Sequence, residues 1–189
     1  MVLVEIVPPD VDVDIDLIYA TDANITGRPI YRQPVCLLHP HAAAALRQAV
    51  TLAHAQGCRL RVFDAFRPAE AQWRLWEACP DPEFIADPRS GSSHTRGVAV
   101  DLTLADAEGR PFDMGTGFDD MTALSHHGNT AVSAVAQANR SRLLGIMAAA
   151  GWRHYGAEWW HYQLPDAERY PLLSDRAAGS RLLRHLERA

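Results

Sequence analysis

Residues 98–104 alternate between two chemistries. Val98, Val100, Leu102 and Leu104 fall on one parity, and Ala99, Asp101 and Thr103 on the other. A period of two is that of a β-strand, whose successive side chains leave opposite faces. The first face is wholly aliphatic and has to be core. The second carries a carboxylate between small residues, and a charge deep in an apolar strand is costly unless it is paired or binds a metal. Any fold for this chain must therefore bury a strand that is aliphatic behind and ionic in front. Taken alone, Asp101 fits a structural ion pair better than a ligand.

The segments around this strand predict a mixed architecture. Residues 11–17 alternate apolar with acidic, as a half-exposed strand or a solvated acidic loop would. Residues 23–29 are turn material. Residues 41–56 are alanine-rich and end at Gly57, which predicts a helix. Residues 59–66 read as a strand with Leu60 and Val62 on one face, and Pro68 opens a helix over 68–79. A loop follows to Gly91. A long helix is expected over 129–150, capped by Asn129 and stopped by Gly151. Residues 152–155 and 158–164 suit a hairpin turning at Gly156 and Ala157, and 176–188 a short terminal helix. Strands and helices mix without regular βαβ alternation, so the expected class is α+β, with helices flanking a mostly antiparallel central sheet.

The 189 residues fit a single domain, 1–189, and 48% hydrophobic content can fill a core. The net charge is -5 and the 18 Lys and Arg are scattered, so no basic face for nucleic acid is expected. Cys36, Cys58 and Cys79 form no CxxC pair, which suggests neither a disulfide framework nor a cysteine metal site. The amino-terminal residues lack a basic leader and no apolar run approaches the ~20 residues of a membrane span. A soluble cytoplasmic protein without a membrane partner is the expectation, with a homo-oligomer left open.

Two segments carry chemistry: 92–101, with His94 and Asp101, and 158–161, with Glu158 and His161. His94 and Asp101 lie seven residues apart, an odd separation that an unbroken strand would place on opposite faces. A turn near Arg96 and Gly97 could bring His94 back beside Asp101. Alone, His94 fits a core or surface histidine better than a ligand. Glu158 and His161 would also face apart in a regular strand, unless Glu158, at the strand start, twists off the ladder. An isolated Glu-x-x-His is a weak signal. Jointly, two histidines and a carboxylate make a three-ligand catalytic zinc site with a position open for water, and Glu158 could take that water's proton. Arg67, at the end of the strand over 59–66, could meet the charge that develops on a peptide carbonyl. The pair His126 and His127 reads as structural or as neighbours of the site.

The residues also resemble a known family. Ser92-x-His94-x6-Asp101 with Glu158-x-x-His161 is similar to the VanX-type D-alanyl-D-alanine dipeptidases, zinc enzymes of the wider D,D-peptidase group. Further matches recur in order: Tyr19-Ala20-Thr21, 24–29, Phe66-Arg67-Pro68, 93–97, 101–104, Asp113-Met114-Gly115, Phe118-Asp119, Ser125-His126-His127 and 158–162. The resemblance implies a D,D-peptidase or hedgehog-like fold and one Zn2+ per chain on His94, Asp101 and His161. It implies Glu158 as general base and acid, and Arg67 near the scissile carbonyl. Tyr19, Ser92 and Asp119 would line the substrate pocket, with Asp119 meeting the free ammonium of a small dipeptide. The chain departs from the family at 21–24 and in a short loop between Cys79 and Ser92, both expected at pocket walls. Two other functions compete: a D,D-carboxypeptidase or endopeptidase acting on peptidoglycan stem peptides, and a zinc-binding module without catalysis. Glu158 and Arg67 favour the enzyme.

Overall fold

A computed structural model describes residues 3–183. In chain order the elements are β1 (Val4–Glu5), β2 (Asp14–Ile15), β3 (Leu37–Leu38), α1 (Pro40–Ala55), β4 (Arg59–Asp64), α2 (Ala69–Ala78), β5 (Ala99–Ala105), α3 (Ala134–Ala149), β6 (Arg153–Tyr155), β7 (Glu158–Gln163) and α4 (Asp175–Ala178). β5 is the centre of a five-stranded sheet ordered β2-β4-β5-β7-β6. Its pairings with β4 and β7 are antiparallel, as is the β6–β7 hairpin, while β2 runs parallel to β4. The expected α+β sheet thus gains one parallel edge. The reason is the connection: the chain travels from β2 through α1 before entering β4, a crossover long enough to return in the same direction. β1 and β3 form a separate antiparallel pair.

The aliphatic face of β5 is core. Val98, Val100, Leu102 and Leu104 are fully buried, in one apolar group with Leu46, Ala49 and Ala53 of α1 and Leu143, Ile146 and Met147 of α3. A second, smaller group collects Tyr19, Tyr31, Phe66, Ala71 and Leu75, and so ties α2 to the short helical turn Ile18–Ala20. The alternation at 11–17 also holds. Val11, Val13 and Leu17 are buried, and the acids point outward to the arginines of β4. Arg59 meets Asp12 and Asp14, each at 2.9 Å, and Arg61 lies 3.8 Å from Asp16. Only Asp14–Ile15 is paired as strand. Among the described residues, no helix is long and apolar enough to cross a membrane.

Two predicted boundaries move. α3 begins at Ala134, not Asn129, because Ser133 supplies the cap: its Oγ accepts from the Ala136 N–H at 3.0 Å. Asn129 instead accepts from the Ala131 N–H, closing a local turn that cannot propagate into helix. The far end behaves as expected, with Gly151 at φ 87. The predicted terminal helix shrinks to α4, since Gly179 takes the left-handed conformation that ends it and the chain then extends to bridge Leu183 with Tyr31. The remainder of that prediction, 184–188, lies outside the described residues.

Candidate active site

Two backbone irregularities and one glycine assemble the site. The first irregularity lies in β4. Val62 pairs with Leu102, but Asp64 pairs with Asp101. Two steps along β4 thus match one along β5, which is a β-bulge. Without it Asp64 would share the parity of Leu60 and Val62 and face the helices. With it, Asp64 and Asp101 sit opposite each other. The second lies in β7. Tyr155 pairs with Glu158 and His154 with Tyr162, so β7 moves four residues while β6 moves one. This breaks the strict alternation, and Glu158 and His161 reach one cavity, with Glu158 Oε2 3.9 Å from His161 Nδ1.

The glycine is Gly97. His94–Arg96 form a single helical turn that ends at Gly97 with φ 69. A Cβ there would crowd Leu3 Cδ2 at 2.9 Å and the His39 backbone nitrogen at 3.3 Å, and the left-handed φ itself favours glycine. The turn swings His94 over β5 to Asp101, and the Ser92 Oγ accepts the His94 N–H at 3.2 Å.

His94, Asp101 and His161 then converge. His94 Nε2 is 3.2 Å from Asp101 Oδ1 and 3.0 Å from His161 Nδ1, and His161 Nδ1 is 3.0 Å from the same Asp101 oxygen. A tetrahedral zinc with nitrogen and oxygen donors at 2.0–2.1 Å sets those donors roughly 3.3 Å apart, close to these edges. The His94 Nδ1 lies 2.7 Å from the Ala65 carbonyl oxygen. Its proton belongs there, which turns a lone pair at Nε2 toward the other two atoms. The donor set fits a divalent cation. Burial works against the charge of Asp101, but His94 and His161 outweigh it and hold the carboxyl below the usual carboxylate range.

Around this set lies a cavity of about 360 Å³. All eight residues singled out from the sequence reach it: Tyr19, Arg67, Ser92, His94, Asp101, Asp119, Glu158 and His161. Arg67 is buried and held from three sides. Its Nε donates to Asp64 at 2.8 Å, Nη1 to Gln72 at 3.0 Å and Nη2 to Asp101 at 3.3 Å, while its guanidinium stacks 4.9 Å from the Tyr19 ring. Glu158 is 7% exposed. Burial, then Asp101 and Asp119, push its carboxyl well above the usual range, with Arg67 opposing.

Asp119 takes φ 59, a left-handed conformation uncommon for a residue with a side chain. Its Oδ1 accepts from the Tyr19 hydroxyl at 3.1 Å. Its Oδ2 is buried and, among the described residues, has no hydrogen-bond partner. Burial pushes this carboxyl up to about 7, against the pull of Arg67. The segment that carries Asp119 is anchored by Arg140 of α3, which donates to the carbonyls of Met114 (2.7 Å), Leu124 (2.8 Å) and His126 (3.1 Å).

Several contributors escaped the sequence reading. Asp64 is fully buried and also accepts from the Tyr31 hydroxyl at 2.9 Å. Its spacing of three before Arg67 was the available signal, but strand parity pointed it toward the core. Gln72 holds Arg67, and the Gln163 side chain reaches His161. Arg140 gave no local cue, since its partners lie 14 to 26 residues away. His126 and His127 stand outside the donor set. His126 meets Glu83 at 3.3 Å and His127 packs beside His154. Of the two departures from the family pattern, the loop before Ser92 forms a cavity wall through residues 82–86 and 90–91. Residues 21–24 do not line the cavity, because Asn24 turns inward to bond the backbone carbonyls of Thr21 and Arg28.

Comparison with known proteins agrees with this geometry. Residues 1–178 match the peptidase family described as D-ala-D-ala dipeptidase. A D-alanyl-D-alanine dipeptidase of Escherichia coli is 47% identical over 165 residues, covering 87% of this chain and 86% of its own. Namesakes from Enterococcus faecium and Streptomyces coelicolor are 36% and 35% identical, covering 82% and 80% of this chain and 87% and 85% of their own. A match of that extent, on a chain whose His94, Asp101 and His161 could together hold a metal ion, means that this chain belongs to the D-ala-D-ala dipeptidase family of metallopeptidases.

Proposed function

We propose that this chain hydrolyses D-alanyl-D-alanine, or a similar D-containing dipeptide, to free amino acids, using one Zn2+ held by His94, Asp101 and His161. Zinc in such a set would supply a Lewis acid for the carbonyl and would lower the pKa of water toward neutrality. Glu158 takes the proton from the attacking water and returns it to the nitrogen of the leaving amine. Its raised proton affinity suits a base that must hold a proton between those two steps. Arg67 faces the charge that develops on the carbonyl oxygen. Among the described residues three of its five N–H donors are engaged, which leaves donors for the cavity. The bonds to Asp64 and Gln72 keep it from swinging away. Ser92 holds the turn that carries His94 and forms cavity wall.

Asp119 is the observation that carries the preference for a free dipeptide. A buried carboxylate oxygen that has no partner among the described residues, in the same cavity as the donor set, is an expensive feature that a substrate ammonium would relieve. Tyr19 keeps the other oxygen oriented. A stem-peptide carboxypeptidase or endopeptidase would instead have to pass uncharged chain through that position. The names of the relatives support the same substrate. With this reading we carry a single dipeptidase domain over 1–189 and a cytoplasmic location, which cell fractionation tests.

The decisive assay compares zinc-loaded protein on D-Ala-D-Ala, L-Ala-L-Ala and an amino-blocked peptide ending in D-Ala-D-Ala. Cleavage of the free D,D-dipeptide alone is expected, with Asp119→Asn raising KM more than it lowers kcat. Comparable cleavage of the blocked peptide would favour the stem-peptide reading and remove the role of Asp119. No turnover of any D-containing substrate would end the proposal.

A further inference from the structure

The two imidazoles of the donor set are held with opposite nitrogens inward. His94 presents Nε2 and His161 presents Nδ1. A neutral imidazole carries one proton, so each ring can offer its inner lone pair only if the outer nitrogen keeps the proton and finds an acceptor. For His94 the acceptor is the Ala65 backbone carbonyl at 2.7 Å, which no side-chain substitution removes. For His161 it is not backbone. Its Nε2 lies 3.2 Å from Gln163 Oε1 and 3.4 Å from Ser93 Oγ. The hydroxyl is the longer contact and can donate as readily as accept.

The competing tautomer is close at hand. With its proton on Nδ1, His161 would donate to Asp101 Oδ1 at 3.0 Å. That bond closes the very pair of atoms a cation needs. The choice between the two forms is made at the outer nitrogen.

We propose that Gln163 is a positioning residue for the metal centre: its side-chain carbonyl accepts the Nε2–H of His161 and thereby keeps the Nδ1 lone pair turned toward His94 and Asp101. The inference rests on the reading of those three residues as metal ligands. Its geometry follows from the strand. Gln163 is two residues after His161, and its backbone is pinned between Ala99 of β5 and Arg153 of β6. A neutral amide also suits the place. The cavity is already lined by several carboxyls, Asp101, Asp119 and Glu158 among them, and an amide adds an acceptor without a further negative charge.

The test measures Zn2+ affinity by competition with a chromophoric chelator, and the His161 tautomer in metal-free protein by long-range 1H–15N NMR. Wild type, Gln163→Met, Gln163→Glu, Ser93→Ala and His94→Ala are compared. Gln163→Met keeps the side-chain length and loses the acceptor. It is expected to weaken Zn2+ binding about 10- to 100-fold, the usual cost of losing such a partner, and to move the His161 proton toward Nδ1. Gln163→Glu restores an acceptor and is expected to recover both the affinity and the Nε2–H tautomer. Ser93→Ala is expected to lose less than Gln163→Met; an equal or larger loss would assign the role to Ser93 and overturn the proposal. Wild-type affinity and tautomer in Gln163→Met would also overturn it, provided His94→Ala loses the metal. If wild type itself binds no Zn2+, the ligand reading and this inference fall together. Should Gln163→Met not fold, the tautomer in Gln163→Glu decides, and an Nδ1–H form there would refute the role.

Discussion

The two faces of β5 are equally buried and chemically opposite. Leu102 and Leu104 on one side, and Ala99, Asp101 and Thr103 on the other, are all 2% exposed or less. The aliphatic face is covered by two regular helices, α1 and α3. Burial there is non-directional, so neighbouring methyl groups can be exchanged at modest cost as long as volume is kept. The Asp101 face is covered by turns, loops and the end of β4, whose polar atoms are held by specific partners: Asp64 for Arg67, Ala65 for His94, Tyr19 for one oxygen of Asp119. Burial of that kind is directional, and removing one partner strands the other. One strand thus carries a face built for stability and a face built for chemistry, and depth alone does not tell them apart.

Three substitutions sharpen or break this contrast. Glu158→Gln should cause the largest loss, about 10²- to 10⁴-fold in kcat, the usual contribution of a general base. Zinc should stay bound, and the metal-free protein should melt no lower than wild type, because burial, Asp101 and Asp119 disfavour a charged Glu158 and the neutral amide carries none. Turnover within a few-fold of wild type would dissociate Glu158 from the reaction. Leu102→Ala should have the reverse signature. It should lower unfolding free energy by about 2–5 kcal/mol in denaturant titrations, with kcat and zinc affinity of the remaining folded protein unchanged. A collapse of zinc affinity would mean the two faces are mechanically linked. Asp12→Ala, at the outer edge where Asp12 is 49% exposed against Arg59, should have the smallest effect. It should cost less than about 1 kcal/mol, and the difference should fade as salt is raised.

The sequence reading succeeded where a single periodicity governs an element. The aliphatic parity of β5, the hairpin of β6 and β7, the stop at Gly57 and the inward alternation of 11–17 are local patterns, and the fold follows them. It faltered where two local signals competed. Asn129 and Ser133 are both cap residues, and only the Ser133 Oγ closes on a helical N–H. Parity failed outright at the site. Taken strictly, it sets His94 against Asp101 and Glu158 against His161 on opposite faces and aims Asp64 at the core; a turn at Gly97 and a twist of Glu158 off the ladder are legible as ways out for the first two, and the bulge at Asp64 is not. A left-handed glycine and two register shifts overturn all three. Such shifts depend on what the neighbouring strand does, so no window on one strand contains them.

By itself, the sequence determined which side chains could serve as donors, base and cation, and that one strand must be aliphatic behind and ionic in front, because residue type and period two are local properties. The tertiary structure alone decided that the donors meet within hydrogen-bonding distance, that Asp64 turns to Arg67, that Asp119 keeps one oxygen unpartnered among the described residues and that Gln163 stands behind His161. Those are distances between segments remote in the chain, set by bulges, a turn and the packing of loops over a sheet, and they exist only once the surrounding structure holds them.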